Sequence, residues 1–304
     1  MIGIVILNYL TYNETIKCVD SIKKTGYRDK KIVIVDNASQ NDSFKFLYDT
    51  YKNDSEVILV NNTTNNGYAA GNNVGIKLLP NNCEYLIISN SDIIFKRDSL
   101  KKLIEPLEKK EANCVAPKVL KFDGTEWFSN QFVPIGKKEL VLGYSFLKRL
   151  DLKKTYKLVS GLNKDRNKKA YIYAPSGCCF AIKITDFKKI GFFDEKTFLG
   201  YEEAILGNKL RKNNMNVLYY PDAQIYHMHM ASTKQIGGLS MVYCSQSELY
   251  YVKNYLNASK NYICFLSLIR IIEYIRLVLK NRDNIKWLSQ YIKVFKDAII
   301  DSSN

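Results

Sequence analysis

Short apolar runs alternate with helical patterns over residues 1–90. Residues 2–7, 31–35, 57–60 and 85–88 are dominated by Ile, Val and Leu, and each run is short enough for a buried strand. Between them, residues 13–24, 42–51 and 70–79 carry the spacing of a helix with one buried face. Strand and helix in strict alternation predict a parallel sheet with helices on its faces. In such sheets a ligand sits beyond the carboxyl ends of the strands, so the polar residues there are the candidates for chemistry. They are Asn8-Tyr9, Asp36-Asn37-Ala38-Ser39, Asn65-Asn66-Gly67 and Asn90-Ser91-Asp92.

After Leu100 the regularity weakens. A helix is predicted over 99–110 and a strand over 114–120, followed by a polar, aromatic stretch to residue 144. Residues 148–169 hold nine basic side chains against Asp151 and Asp165, the pattern of a solvated loop from which a minority of cations would face a phosphate. From Ser245 onward the pattern is helical and amphipathic. A membrane span over 262–279 is not predicted, because Arg270, Glu273, Arg276 and Lys280 interrupt it at helical spacing, as in an interfacial or packed helix.

With 304 residues and 46% hydrophobic content, the chain can bury one large core and a modest appendage, and it is too apolar for general disorder. Seven cysteines without a Cys-x-x-Cys spacing, and a start with no basic leader, predict reduced thiols in the cytoplasm. The formal charge of +15 predicts an anionic partner: nucleic acid, a lipid surface or a diphosphate-bearing substrate. The aromatic residues form no nucleic-acid recognition motif, which counts against the first.

Asp36 puts a carboxylate where a base or ribose can be held, although Asp-Asn-Ala-Ser is also good turn and helix-cap chemistry. Residues 66–73 contain Gly67 and Gly71, which let backbone approach a ligand closely, without the G-x-G-x-x-G spacing of a nicotinamide site. Ile87 to Asp92 reads as a buried strand ending in an Asn-x-Asp pair. A hard divalent cation bridging two phosphates needs few protein oxygens, so Asp92 suffices as an anchor, and Asn90 on the same side of an extended chain points into the same cleft. Glu202-Glu203 opens a helical stretch ending near Lys212; acids there are ordinary dipole compensation or, in a cleft, a base. His227 and His229 are the chain's two histidines and share one side of a strand. Two are too few for a closed zinc site, and one of them can complete the ligand set of a phosphate-bound metal.

Taken in order, Asn8-Tyr9, Val35-Asp36-Asn37-Ala38-Ser39, Asn66-Gly67-Tyr68, Asn90-Ser91-Asp92, Ser176-Gly177-Cys178, Gly191-Phe192-Phe193-Asp194, Tyr201-Glu202-Glu203 and Pro221-Asp222-Ala223 with His227 resemble glycosyltransferase family 2, in its rhamnosyl- and galactosyltransferase-like branch. The resemblance covers residues 1–235. It implies the GT-A nucleotide-diphospho-sugar transferase fold, a Rossmann-like mostly parallel α/β sheet, over residues 1–240. Within it a nucleotide-binding half spans 1–97 and an acceptor half spans 98–240, with amphipathic helices appended over 241–304. The implied activity is an inverting, metal-dependent transfer of a hexose from a nucleotide-sugar donor, UDP-hexose or dTDP-rhamnose, to a saccharide or lipid-linked saccharide acceptor in cell-surface polysaccharide synthesis.

By residue, the resemblance implies that Asp36 contacts the nucleobase, Asn90 lies near the ribose, Asp92 holds Mg²⁺ or Mn²⁺ with His227 beside it, and Glu203 is the base. Ser176-Gly177 lines the floor beneath the transferred sugar, and Asn8, Tyr9, Asn37, Asn66, Gly67, Asn72 and Ser91 complete the donor surface. Two positions depart from the family pattern. The metal motif begins with Asn90 where many relatives have Asp, and Ile205 stands where relatives often carry a further Asp, which leaves Glu202 as the alternative base.

A sugar nucleotidyltransferase of the same fold would carry a basic, glycine-rich loop after the first strand, and Asn8-Tyr9-Leu10-Thr11-Tyr12 is not one. A catalytically weak or silent glycan-binding protein would keep the sheet and lose the carboxylates, yet Asp92 and Glu203 are present. The apolar faces over 262–280 and 285–300 are flanked by Arg270, Arg276, Lys280, Arg282, Lys286, Lys293 and Lys296. They predict peripheral contact with the inner face of the cell membrane, or packing against the catalytic domain or a second copy in a homodimer.

Overall fold

The computed structural model of the chain describes residues 1–149, 153–228 and 238–301. The first half alternates β1 (Ile2–Asn8), α1 (Tyr12–Lys24), β2 (Lys30–Asp36), α2 (Ser43–Tyr51), β3 (Val57–Asn61), α3 (Gly67–Lys77) and β4 (Tyr85–Asn90). There follow β5 (Ile93–Phe95), α4 (Ser99–Glu108), β6 (Cys114–Leu120), α5 (Lys137–Leu142), α6 (Lys153–Ser160), β7 (Ala170–Ile172), β8 (Cys179–Lys183) and α7 (Ile184–Lys189). The chain continues through α8 (Glu202–Lys212), β9 (Val217–His227), α9 (Leu239–Asn254), α10 (Lys260–Lys280) and α11 (Leu288–Asp301).

Nine strands among the described residues form one sheet in the order β3-β2-β1-β4-β8-β6-β9-β5, with β7 also paired to β9. β1 runs parallel to β2 and β4, and β2 to β3, whereas β8 is antiparallel to β4 and β6. Side chains alternate across the pleat. Ile2, Ile4, Ile6, Ile32 and Ile34 face one core with α1, α2 and α4; Val5, Val33 and Val35 face the other with α3, α7 and α8. Each buried Ile or Val side chain contributes about 1.5–3 kcal/mol of transfer free energy. Close approach of α3 to the sheet needs Gly75, where an added Cβ would lie 2.5 Å from Val5 Cγ1.

The four strands and three helices read from the first ninety residues are all present, with different ends. The helix expected from residue 70 begins at Gly67, because the Asn65 side chain accepts from Gly67 N and the glycine takes φ +90°. The helix expected to run to residue 110 ends at Glu108, with Lys110 in the left-handed region at φ 55°. Helix α9 begins at Leu239, ahead of the expected Ser245. β5, β7 and β8 are strands of three to five residues, too short to show a period in the sequence.

A third core joins α5, α9, α10 and α11 to Ala204 and Ile205 of α8. Arg270 of α10 belongs to this core. Expected on a basic rim, it is instead 7% exposed, with Glu248 of α9 accepting from its Nε at 2.8 Å and its Nη2 at 2.6 Å. Likewise Arg166, in the basic segment, is buried against Phe132 and Tyr219 and paired with Glu126, so it is unavailable to a phosphate. Asp151 and His229 lie outside the described residues. No helix among the described residues is long and apolar enough to cross a membrane.

Candidate active site

In-register pairing of β1 with β2 sets Asn8 beside Asp36. Asn8 Nδ2 donates to Asp36 Oδ2 at 2.6 Å, while its Oδ1 accepts from Thr15 at 2.7 Å and Thr11 at 3.3 Å. Asp36 Oδ1 accepts from Ser39 N at 2.9 Å, and Ser39 Oγ accepts from Leu10 N at 2.8 Å. Leu10 and Ala38 both have positive φ, so the two loops turn sharply away from the strand ends. Asn8 and Asp36 are fully buried in this knot. Asn8, expected on the donor surface, is instead buried, with its amide consumed by holding Asp36. Tyr9 is half-buried at the mouth.

Asn37 is a second correction of the same kind. Its Nδ2 donates to Asn65 Oδ1 at 2.8 Å and Gly67 O at 3.2 Å, and its Oδ1 accepts from Asn62 at 3.0 Å, so it ties the β2, β3 and α3 ends together. Asn72 is also buried, donating to Tyr68 O at 2.9 Å. Gly67 faces protein rather than an open cleft: a Cβ there would lie 2.4 Å from Phe198 O, which accepts from Tyr68 N at 2.9 Å. Asn66 remains exposed and lines an open recess of about 380 Å³ with Glu195, Lys196, Thr197 and Phe198.

The end of β4 carries the acidic corner. Asn90 N donates to Cys178 O at 2.8 Å, and Ser91 Oγ is 2.9 Å from Thr11 Oγ1. Ile93 then pairs with His227 across β5 and β9, and Met228 N donates to Asp92 O at 2.9 Å. The two side chains converge, with His227 Nε2 3.1 Å from Asp92 Oδ1. Among the described residues no three His, Cys, Asp or Glu side chains gather as a metal cage. One carboxylate with one imidazole is the donor set of a cation whose remaining ligands come from phosphate and water, so these residues fit the expected Mg²⁺ or Mn²⁺ in that form.

On the other side of the 176–178 turn stands the acidic pair of α8. Gly177 N donates to Glu203 Oε1 at 3.0 Å, Tyr68 Oη donates to Gly177 O at 2.5 Å, and Asn130 Oδ1 accepts from Ser176 N at 2.9 Å. Glu203 is partly exposed and Glu202 is buried. Burial, reinforced by the neighbouring charge of Glu203, pushes the Glu202 carboxyl up to about 8. The two acids thus differ in environment, Glu202 buried and Glu203 partly exposed. Tyr201, just before them, has φ +69°, a left-handed conformation that is costly for a side chain with a Cβ.

Several supporting residues were either unmarked in the sequence, as Thr15 and Asn130 are, or lay inside a motif without a sign of their role, as Thr11, Ser39 and Tyr68 do. Thr11 and Thr15 satisfy Asn8, Ser39 Oγ closes the first loop, and Tyr68 and Asn130 hold the 176–178 turn. Their partners are distant in sequence, so no spacing reveals them.

The model of the family described as "Glycosyl transferase family 2" matches residues 2–191. The low-salt glycan biosynthesis hexosyltransferase Agl10 of Haloferax volcanii is 25% identical over 69% of this chain and 69% of its own length. The N-acetylglucosaminyl-diphospho-decaprenol L-rhamnosyltransferase of Mycobacterium tuberculosis is 24% identical over 70% and 71%. The mannosyltransferase PcManGT of Pyrobaculum calidifontis, solved with GDP-Man and Mn²⁺, superposes with a TM-score of 0.58 at 14% identity, covering 99% of this chain and 86% of that one. GalNAc-T7, solved with UDP, GalNAc and Mn²⁺, gives 0.59 at 16% identity over 84% of this chain, which spans 51% of the GalNAc-T7 chain. At these identities the two structures show the GT-A fold of this chain.

Proposed function

The chain belongs to glycosyl transferase family 2, and from that membership we propose that it is an inverting hexosyltransferase using a nucleotide-sugar donor and a saccharide or lipid-linked saccharide acceptor. The relatives named as hexosyl- and rhamnosyltransferases support UDP-hexose or dTDP-rhamnose as donor and cell-surface polysaccharide as destination. One observation carries the reading: the 176–178 turn is hydrogen-bonded to Asn90 on one side and to Glu203 on the other, so the proposed ribose residue, two positions before Asp92, and the proposed base share one mount.

In this reading the nucleobase enters at Tyr9 with Asp36 directly behind, and Asn90 and Ser91 receive the ribose. Asp92 and His227 would hold Mg²⁺ or Mn²⁺, which supplies positive charge to the departing diphosphate when bound with the donor. Ser176 and Gly177 form the floor under the hexose. The Gly177 N–H fixes Glu203 Oε1 and so orients the carboxylate toward an acceptor hydroxyl. Glu203 takes the hydroxyl proton as the acceptor oxygen bonds to the anomeric carbon and the bond to the diphosphate oxygen breaks. Glu202, buried and with its acid form favoured, is the weaker candidate for base.

Residues 1–240 are read as the catalytic domain, with 241–304 bringing it to the cytoplasmic face of the membrane where lipid-linked acceptors are presented. Homodimerisation through the same helices is the second reading of their exposed apolar residues. A screen of UDP- and dTDP-sugars for Mn²⁺-dependent release of nucleoside diphosphate tests the function. Binding without release from any donor would leave a nucleotide-sugar-binding protein.

A further inference from the structure

Helix α9 and its C-terminal cap residue Tyr255 grip the loop that leads into the acidic pair at three points. Asp194 accepts from the hydroxyls of Tyr250 at 2.9 Å and Tyr255 at 2.5 Å. The Phe198 ring lies 4.0 Å from that of Tyr243, with an interplanar angle of 31°. Tyr201 stacks on Tyr251 at 5.6 Å and donates its hydroxyl to Glu248 Oε1 at 2.7 Å.

The third grip is built differently from the others. Glu248 is 2% exposed, and both its oxygens accept from Arg270, so one carboxylate serves Tyr201 and the guanidinium together. Arg270 in turn donates to Glu273 at 2.8 Å and to Tyr144 O at 2.8 Å, and Glu273 accepts from Phe146 N at 2.7 Å. A planar guanidinium fork fixes the plane of the carboxylate it binds, so the hydroxyl of Tyr201 has one place to go. Burying two charges is a weak route to stability, since apolar residues of equal volume hold such a site as well or better. In some proteins buried pairs of this kind serve to fix one geometry. The geometry fixed here is that of a left-handed residue whose carbonyl accepts from Ile205 N as the first turn of α8, one position before Glu202 and two before Glu203.

We infer that Tyr201, Glu248 and Arg270 are positioning residues for Glu203: the C-terminal helices set the direction of the base through this buried chain of hydrogen bonds. The inference rests on Glu203 being the base. It assigns the appended helices a part in the chemical step, independent of whatever their outer faces meet.

The test is a double-mutant cycle of Tyr201→Phe and Glu203→Gln in the full chain. The rate measured is nucleoside diphosphate released from UDP-glucose, UDP-galactose or dTDP-rhamnose with Mn²⁺, whichever the wild type turns over fastest. Tyr201→Phe removes one oxygen and keeps the ring stack. It is expected to lower kcat by about 10- to 100-fold, the scale of an ångström-level misplacement, with the donor KM unchanged. In the Glu203→Gln background the same change is expected to lower kcat no further, because both act through one group. Wild-type kcat for Tyr201→Phe, or an equal fractional loss in both backgrounds, overturns the inference. Full activity of Glu203→Gln would instead remove the base assignment and this inference with it, so the two failures are told apart. Should Tyr201→Phe lower the melting midpoint by more than about 5 °C, the cycle is read with Arg270→Lys, which keeps the charge and loses the fork: a kcat loss that disappears in the Glu203→Gln background is expected, and an equal fractional loss in both backgrounds overturns the inference.

Discussion

His227 Nε2 stands 3.1 Å from Asp92 Oδ1 although the two residues are 135 positions apart, because β9 folds back antiparallel to β5 and delivers its last residue opposite Ile93. The same strand end fixes the backbone of Asp92 through Met228 N. A carboxylate whose side chain and main chain are both anchored is suited to holding an ion that arrives with a diphosphate, since little freedom remains to be lost on binding.

Asp92→Ala is accordingly expected to abolish turnover and to weaken UDP binding by at least about tenfold in Mn²⁺, roughly 1.4 kcal/mol. Binding in EDTA should be unchanged, and titration calorimetry with and without the metal separates the two. Near-normal turnover by the wild type in EDTA would remove the metal from the mechanism.

Glu203→Gln is expected to keep UDP affinity and lose at least about 10²-fold in kcat, the scale of a positioned general base. The amide retains a carbonyl oxygen for Gly177 N, so the floor of the site should survive. Parallel kinetics on Glu202→Gln decide the register: a crippled Glu202→Gln beside a normal Glu203→Gln would move the base by one residue.

The sheet was legible because its strands are continuous apolar runs and its helices have one apolar face, both local periodicities. The strand-end motifs were legible because an Asp-Asn-Ala-Ser or Asn-Ser-Asp segment stands out where an Ile-Val run stops. What was not legible is which polar residue faces outward. Asn8 and Asn37 look like ligand groups in sequence, but their partners Asp36, Asn62 and Asn65 arrive through β pairing and loop closure. For Arg270 the sequence leaves an interfacial and a packed face open for a related reason: helical spacing puts a cation on a face, and only the position of Glu248 says that the face is inward.

The pH dependence of stability should reveal the state of Glu202. Its folded-state pKa is raised to about 8, above the ordinary range near 4.5, so the folded chain binds a proton there that the unfolded chain does not. That contribution is fully present below the unfolded value and is lost progressively as pH rises through about 8. The melting midpoint of Glu202→Gln minus that of the wild type is therefore expected to increase between about pH 5 and pH 9. A difference independent of pH across that window would show that Glu202 is charged in the fold.

Gly67→Ala is expected to destabilise the chain by more than about 1 kcal/mol, because alanine at φ +90° is strained and its Cβ would meet Phe198 O at 2.4 Å. Neither backbone can retreat alone, since Tyr68 N donates to the same oxygen. Chemical denaturation measures the loss. An unchanged midpoint would mean that the 198–201 loop can move away from α3, contrary to the clamp described for it.

The outer face of α10 bears on where the protein works. Phe265, Leu268, Ile275 and Leu279 are all exposed and, with the partly exposed Ile272, form a stripe spaced by three and four residues. The exposed charges beside it on α10 and the segment after it are Arg276, Lys280, Arg282 and Lys286 against Asp283, so a second copy would meet the same excess of positive charge. An anionic leaflet would not, and each cation near it contributes about 1 kcal/mol. Sedimentation with phosphatidylglycerol vesicles is expected to capture the wild type at low salt and to fall by at least about tenfold for Arg276→Glu/Lys280→Glu, while phosphatidylcholine vesicles capture neither. Leu268→Ser/Ile275→Ser should weaken capture in the same assay if the apolar stripe enters the headgroup boundary. Equal binding of wild type and both double variants to anionic vesicles would separate this face from the membrane. A wild-type dimer in sedimentation velocity that Leu268→Ser/Ile275→Ser dissociates would give the stripe to a second copy instead.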